Sequence, residues 1–383
     1  MKLALGVLAL VVVLGAAALL PVRPYLDFQV IYHADLGLLR GISLYDHAGQ
    51  AKMIAELAGV PASQVFILPF PYPPWYALST FWLARLPINL AARAWFGLNL
   101  LLLFLSLWLL TAGQKAAKRA ALFAGGLLWL PVLGSLFVGQ YGFPVLLGAA
   151  LVVYGLRREH TILVALAAAL LMYKPHLGGM VVVLAANQLA RRRDIFGRNG
   201  LLAMLSAGAI MFGTGYLASP HWPSDYVGSL IAFKDVGGVS QCTQCVSLSM
   251  AIARVAGDGL QGAVWVSVIA AVLCCGWLIL RWRGVTLAPS GLVVTGTLVT
   301  LLASPYLLNY DYMLLVIPFV ELARGMRSRM EWVGMTLAYA LPFIGLALMG
   351  VSGNNLLILS VCILSAIAAR SPTVAARDSG TGG

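Results

Sequence analysis

The chain has 383 residues, of which 61% are apolar and 10% charged. A soluble domain carries about 25% charged residues. The 25 basic and 13 acidic side chains cannot cover the surface of a 40.7 kDa globule, which excludes a soluble protein, a disordered chain and a disulfide-stapled secreted domain. Runs such as Leu100 to Leu110 lack the apolar–polar alternation of a barrel strand, so the composition predicts an all-α polytopic membrane protein. At about 20 residues per crossing plus loops, the length accommodates about 11 to 13 transmembrane helices.

Residues 3–20 are apolar after Lys2 and lack a short apolar stretch with a clear cleavage exit, so they read as an uncleaved first helix with its N-terminus inside. Residues 21–73 follow as a first outer loop. Residues 74–87 are apolar but short and flanked by Pro71, Pro73, Pro74 and Pro87; they read as a re-entrant or interfacial half-helix, the rival being an ordinary short crossing. Further spans are expected near 93–112, 120–138, 143–156, 161–173, 177–190, 200–218, 262–280, 286–303, 312–323, 331–349 and 354–369. Residues 219–260 form a second large outer loop, and 371–383 a small polar tail expected to be disordered and cytoplasmic. Residues 1–370 thus read as a single integral membrane domain.

The net charge of +12 is distributed as short clusters between apolar runs: Lys115/Lys118/Arg119, Arg157/Arg158, Arg191/Arg192/Arg193/Arg198, Arg281/Arg283, Arg324/Arg327/Arg329 and Arg370/Arg377. Such clusters mark cytoplasmic loops. The charge is therefore a topology signal and points to no nucleic acid. Asp27, Asp35, Asp46, Glu56, Asp225, Asp235, Asp258 and Asp311 fall on the other side.

Ionisable groups at membrane depth are costly and default to functional candidates. The segment Asp27 to Tyr45 follows the first helix and carries a partly apolar face through Phe28, Ile31, Leu36, Leu38 and Leu39, as a helix lying in the interface does; Gly41 ends it. Asp27 is either an N-cap or a site acid at the outer boundary, whereas Asp35 reads as a solvated face residue. In Phe70-Pro-Tyr-Pro-Pro-Trp-Tyr76, Tyr72 is an interfacial anchor unless it points inward. Gln140, after Gly139, can bond a sugar or a neighbouring helix. Lys174, beside His176, stands alone at the end of an apolar run; it suits a phosphate, or snorkels to the headgroups. Tyr310 and Asp311 cluster at the outer surface, with Asp311 either a second site acid or a partner of Lys174.

No Asp-x-Asp, P-loop or Gly-x-Gly-x-x-Gly occurs, and no His/Cys spacing suggests zinc, so neither metal nor cofactor is expected. Cys242 and Cys245 lie in an outer loop and form a small disulfide or two thiols; Cys274, Cys275 and Cys362 read as packing residues within spans.

Taken in order, Asp27-Phe, Tyr32-x-Ala34, Leu38-x-x-Gly-x-x-Leu-Tyr45, Tyr72-Pro-Pro-Trp, Gly139-Gln140, Lys174-Pro, Ser304-Pro and Tyr310-Asp311 resemble glycosyltransferase family 87, polyprenyl-phosphate-sugar-dependent enzymes of the GT-C fold. The resemblance runs from about residue 20 to about 320; the 304–312 loop lacks the His that some members carry. It implies a GT-C-type helical bundle in a bacterial inner membrane, acting on the outer side. It implies a polyprenyl-phosphate-linked sugar, commonly mannose, as donor, and a glycolipid or glycan hydroxyl as acceptor. Asp27 is the base expected on that likeness, Lys174 and His176 hold donor phosphate, and Gln140, Tyr72, Tyr310 and Asp311 orient sugar or acceptor. Attack opposite a phosphate leaving group without a covalent intermediate inverts the anomeric carbon. A transporter or flippase of lipid-linked sugars is the rival reading, sharing a cavity but needing no base.

Overall fold

A computed structural model describes residues 12–233, 245–257, 259–281 and 287–371. Residues 3–11 of the expected first helix, Asp235, Cys242, Asp258, Arg283 and the tail from residue 372 lie outside the described residues, as do the side chains of Cys274 and Cys275. Residues 12–19 are helical. The helices that follow are α1 (Leu26–Leu39), α2 (His47–Ala58), α3 (Pro74–Thr80), α4 (Ile88–Leu110), α5 (Ala116–Leu128), α6 (Leu130–Val138), α7 (Gly142–Arg158), α8 (Thr161–Leu171) and α9 (Pro175–Arg191). Then come α10 (Ile195–Gly215), α11 (Trp222–Phe233), α12 (Leu248–Val255), α13 (Leu260–Arg281), α14 (Pro289–Ala303), α15 (Val316–Ala323), α16 (Arg329–Met349) and α17 (Leu356–Arg370). Among the described residues no strand occurs.

The protein is an all-α polytopic membrane protein. Helices α4, α10 and α16, of 23, 21 and 21 residues, are each long and apolar enough to cross a bilayer. Helices α5 and α6 form a fourth candidate, bent by 51°. The bend has a local cause: Trp129 adopts an extended conformation, and Pro131, lacking an N–H, cannot continue α5 but is tolerated at the start of α6. Helices α8, α14 and α17 are apolar but shorter, in keeping with spans that rely on neighbours or a thinned bilayer. Residues 74–87 hold α3 and a 3₁₀ turn, Phe81–Arg85, rather than one continuous helix of crossing length.

Two compact units can be described, each on its own. The first comprises Met1–Phe104, Ser135–Phe143 and Gly208–Ser240; the second comprises Leu105–Gly134, Pro144–Ala207 and Gln241–Gly383. In the first, Arg93 donates to the carbonyls of Ala17 and Ala18 at 2.9 and 2.7 Å, satisfying backbone acceptors at the end of the first helix. In the second, α9 packs on α14 and α16 on α17. Gly296 permits the first of these contacts, since a Cβ there would meet the Val181 side chain at 2.8 Å. A buried Glu321 receives Arg157 at 3.1 Å and Arg324 at 3.3 Å, so one carboxylate gathers two of the basic clusters read as topology signals. Cys362 does not pack inward as expected: it is exposed on α17, whose buried face is Leu357, Ser360, Val361, Leu364, Ile367 and Ala368.

Candidate active site

The first unit builds its polar cluster on α1. Tyr25, not Asp27, is the N-cap, and Asp27 sits in the first turn, where a carboxylate is favoured by the helix dipole. The helix ends before Gly41, whose φ of +74° suits glycine. Tyr32 anchors α1 by donating to the Leu86 carbonyl at 2.8 Å. The buried face of the helix is Phe28, Val30, Ile31, Ala34, Asp35 and Gly37.

Gly139 then explains how Gln140 reaches Asp27. Its φ is +76°, and a Cβ there would lie 2.9 Å from the Phe28 Cβ, so only glycine allows the backbone this close to α1. Trp95 Nε1 donates to the Gly139 carbonyl at 2.9 Å and fixes the turn. Gln140 Nε2 donates to Asp27 Oδ1. A buried amide thus orients a half-buried carboxylate.

Tyr72 points inward. Its ring centroid is 4.5 Å from that of Tyr141, the residue after Gln140, and Tyr76 is 4.1 Å from Tyr141 in an edge-on arrangement. The prolines place it: Pro73 caps α3, Pro74 occupies the first turn, and the Tyr72 carbonyl accepts from Tyr45 Oη at 2.9 Å. Asp27, Gln140 and Tyr72 therefore share one cluster.

Asp35 departs from expectation. It is fully buried, not solvated, because it falls seven residues after Phe28 and so on the same helix face. Thr80 Oγ1 lies 3.3 Å from its Oδ1, and Oδ2 has no hydrogen-bond partner. Burial pushes this carboxyl well above the usual carboxylate range, against the opposing hydrogen bond from Thr80. The Tyr141 hydroxyl is likewise buried without a hydrogen-bond partner. Sequence reading missed Asp35, Thr80, Trp95 and Tyr141; the seven-residue spacing from Phe28 was the one signal available for Asp35.

The second unit holds the cationic residues. Lys174 Nζ donates to Asp311 Oδ1 at 2.9 Å, with both side chains buried, so Lys174 does not snorkel. Asp311 Oδ2 accepts the Leu308 N–H at 3.0 Å, which holds the carboxylate at the start of the 3₁₀ turn Asn309–Leu315. The Lys174 ammonium also lies 5.5 Å from the Tyr310 ring centroid. His176, in the first turn of α9, is exposed. Cys245 is disulfide-bonded. Among the described residues no group of three His, Cys, Asp or Glu side chains is placed to hold a metal ion.

Comparison with known families decides the class: the profile of glycosyltransferase family 87 matches residues 70–305. The chain belongs to glycosyltransferase family 87. The match covers Tyr72, Gln140, Lys174 and His176, whereas Asp27, Tyr310 and Asp311 flank it. No curated protein and no solved structure matches the chain. As a family 87 member with apolar helices, it is a membrane glycosyltransferase.

Proposed function

We propose that this family 87 enzyme moves a mannosyl residue from a polyprenyl phosphate to a hydroxyl of a glycolipid or glycan, on the outer face of a bacterial inner membrane. The observation that carries the reading is the hydrogen bond from Gln140 to Asp27, an acid at the start of the interfacial helix. An alcohol is a poor nucleophile until a positioned base takes its proton. Asp27 is that base. The acceptor oxygen bonds to the anomeric carbon as its proton passes to Asp27. The bond from that carbon to the phosphate oxygen breaks, with its electron pair leaving on the phosphate. One displacement inverts the centre, so a β-linked donor gives an α-linked product.

The leaving phosphate is already anionic and is better served by cations than by an acid. Lys174 supplies the charge that holds it, and His176 a hydrogen bond. Asp311 keeps Lys174 in place, its 2.9 Å contact fixing the ammonium, and Tyr310 covers that ammonium. Tyr72 and Gln140 orient the sugar or acceptor beside Asp27. The outer location rests on the basic clusters, which assign the opposite ends of the spans to the cytoplasm.

The test is incubation of membranes containing or lacking the protein with radiolabelled polyprenyl-phosphate-mannose, followed by analysis of lipid and glycan products. Label in a new α-mannoside only when the protein is present is the expected result. Movement of intact donor across the bilayer without transfer would replace this reading with a flippase.

A further inference from the structure

Within the second unit, a cavity of about 260 Å³ lies between α5, α15 and α16, with Trp129 at the bend among its lining residues. Its wall is almost wholly apolar and includes Leu122, Gly125, Phe319, Val320, Trp332 and Met335. Trp129 closes the deep end, its ring 4.9 Å from Phe319 and 5.0 Å from Tyr339. Tyr339 Oη donates to the Gly125 carbonyl at 2.8 Å, so that lining hydroxyl is already paired.

The helix registers carry the lining stripe to a set of cations. On α5, Ala121, Leu122 and Gly125 lie three, four and seven residues after Lys118, itself three after Lys115. On α16, Trp332 and Thr336 lie three and seven residues after Arg329. On α15, Val316, Phe319, Val320 and Ala323 form the third stripe, and Lys118 Nζ donates to the Ala323 carbonyl at 2.7 Å. An ammonium has three donors, and this contact uses one. Lys115 and Arg329 are exposed. Their neighbours are engaged elsewhere: Arg119 lies over the Trp108 ring at 3.8 Å, and Arg324 pairs with Glu321 and the Leu110 carbonyl. The nearby acid Glu331 caps α16 through the Ser328 and Arg327 amides.

The depth fits one leaflet. At 1.5 Å per residue, Lys118 to Trp129 spans about 16 Å, close to half of a hydrocarbon core of about 30 Å. We propose that this groove binds an anionic glycerophospholipid of the leaflet on the side of the basic clusters, with an acyl chain along the groove and the phosphate at Lys115, Lys118 and Arg329. The apolar wall alone would take any chain; the three cations at its mouth select an anionic headgroup. The site involves neither Asp27 nor Lys174, and its test does not depend on the transfer reaction.

The full-length protein, delipidated in a non-ionic detergent, is offered phosphatidylglycerol, phosphatidylcholine of the same chains, polyprenyl phosphate or inorganic phosphate, and read by native mass spectrometry and thermal unfolding. Phosphatidylglycerol is expected to be retained and to raise the unfolding temperature; phosphatidylcholine and inorganic phosphate are not. Reversing Lys115 and Arg329 to Glu, both exposed, should weaken retention about tenfold or more. Gly125→Leu, at a position where a Cβ meets nothing within 4 Å, should fill the groove and abolish retention. Equal retention of the two phospholipids, displacement of phosphatidylglycerol by polyprenyl phosphate, or retention unchanged in the charge-reversed variant would overturn the proposal. Should Gly125→Leu fail to fold, the charge-reversed variant decides.

Discussion

Replacing Asp27 with Asn isolates the proposed proton transfer. The amide oxygen of Asn occupies the place of Oδ1 and still accepts from Gln140 Nε2, so the pairing and the packing of α1 through Phe28 and Ile31 are retained. What is lost is a negative charge and a basic oxygen. Positioned general bases contribute about 10²- to 10⁴-fold, which at about 1.36 kcal/mol per decade raises the barrier by roughly 3 to 5 kcal/mol. The carboxylate is only half-buried, so stability should move little. The assay is transfer from radiolabelled polyprenyl-phosphate-mannose in proteoliposomes, with kcat, donor KM and unfolding temperature measured together. The expected pattern is a fall in kcat by the stated factor, with donor KM and unfolding temperature near those of the parent. A kcat within a few-fold of the parent would refute Asp27 as the base and leave it as a first-turn acid that favours the helix dipole.

Four further outcomes follow from the geometry. Asp311→Asn leaves the buried Lys174 ammonium without its counter-charge and should destabilise by about 3 to 5 kcal/mol; the double variant Lys174→Met, Asp311→Leu should regain much of that in thermal unfolding while losing donor use. Lys174→Ala should raise donor KM more than it changes acceptor KM in steady-state kinetics; unchanged donor dependence would leave Lys174 as the structural partner of Asp311. Gly139→Ala must strain a φ of +76° and displace Phe28 from 2.9 Å; it should cost about 1 kcal/mol or more and lower transfer by moving Gln140 away from Asp27. The raised pKa of Asp35 means that the folded state holds its proton to higher pH than the unfolded chain. Stability from this group is therefore complete below the ordinary carboxylate pKa and declines as pH rises toward the folded value. Asp35→Asn should flatten that decline as pH rises above the ordinary carboxylate range in thermal unfolding, and a parent profile already flat there would contradict the assignment.

What could be read from the sequence and what could not divide along a physical line. The helices were legible because apolar run length and Pro or Gly punctuation report on each segment alone: the expected spans 143–156, 177–190 and 331–349 correspond to α7, α9 and α16. The bend between α5 and α6 was not legible, since residues 120–138 read as one apolar run and the extended Trp129 is stabilised by distant partners, including the Tyr312 carbonyl at 3.2 Å from its indole nitrogen. Asp27, Gln140, Lys174 and Asp311 stood out as polar groups where apolar ones were expected. Pairing with Lys174 was one of the two roles open to Asp311, and the structure shows that pair; the partner of Asp27 did not stand out, because a hydrogen bond between residues 113 positions apart leaves no trace in local spacing. Asp35 fails for a related reason. A carboxyl in an interfacial helix is usually solvated, and the packing of Thr80 and the 3₁₀ turn after it against α1 makes its environment apolar enough to hold the proton. Sequence thus exposes the groups whose cost must be met, while the fold determines which neighbours meet it; for Asp27 these include the Gln140 amide that a glycine at 139 lets through.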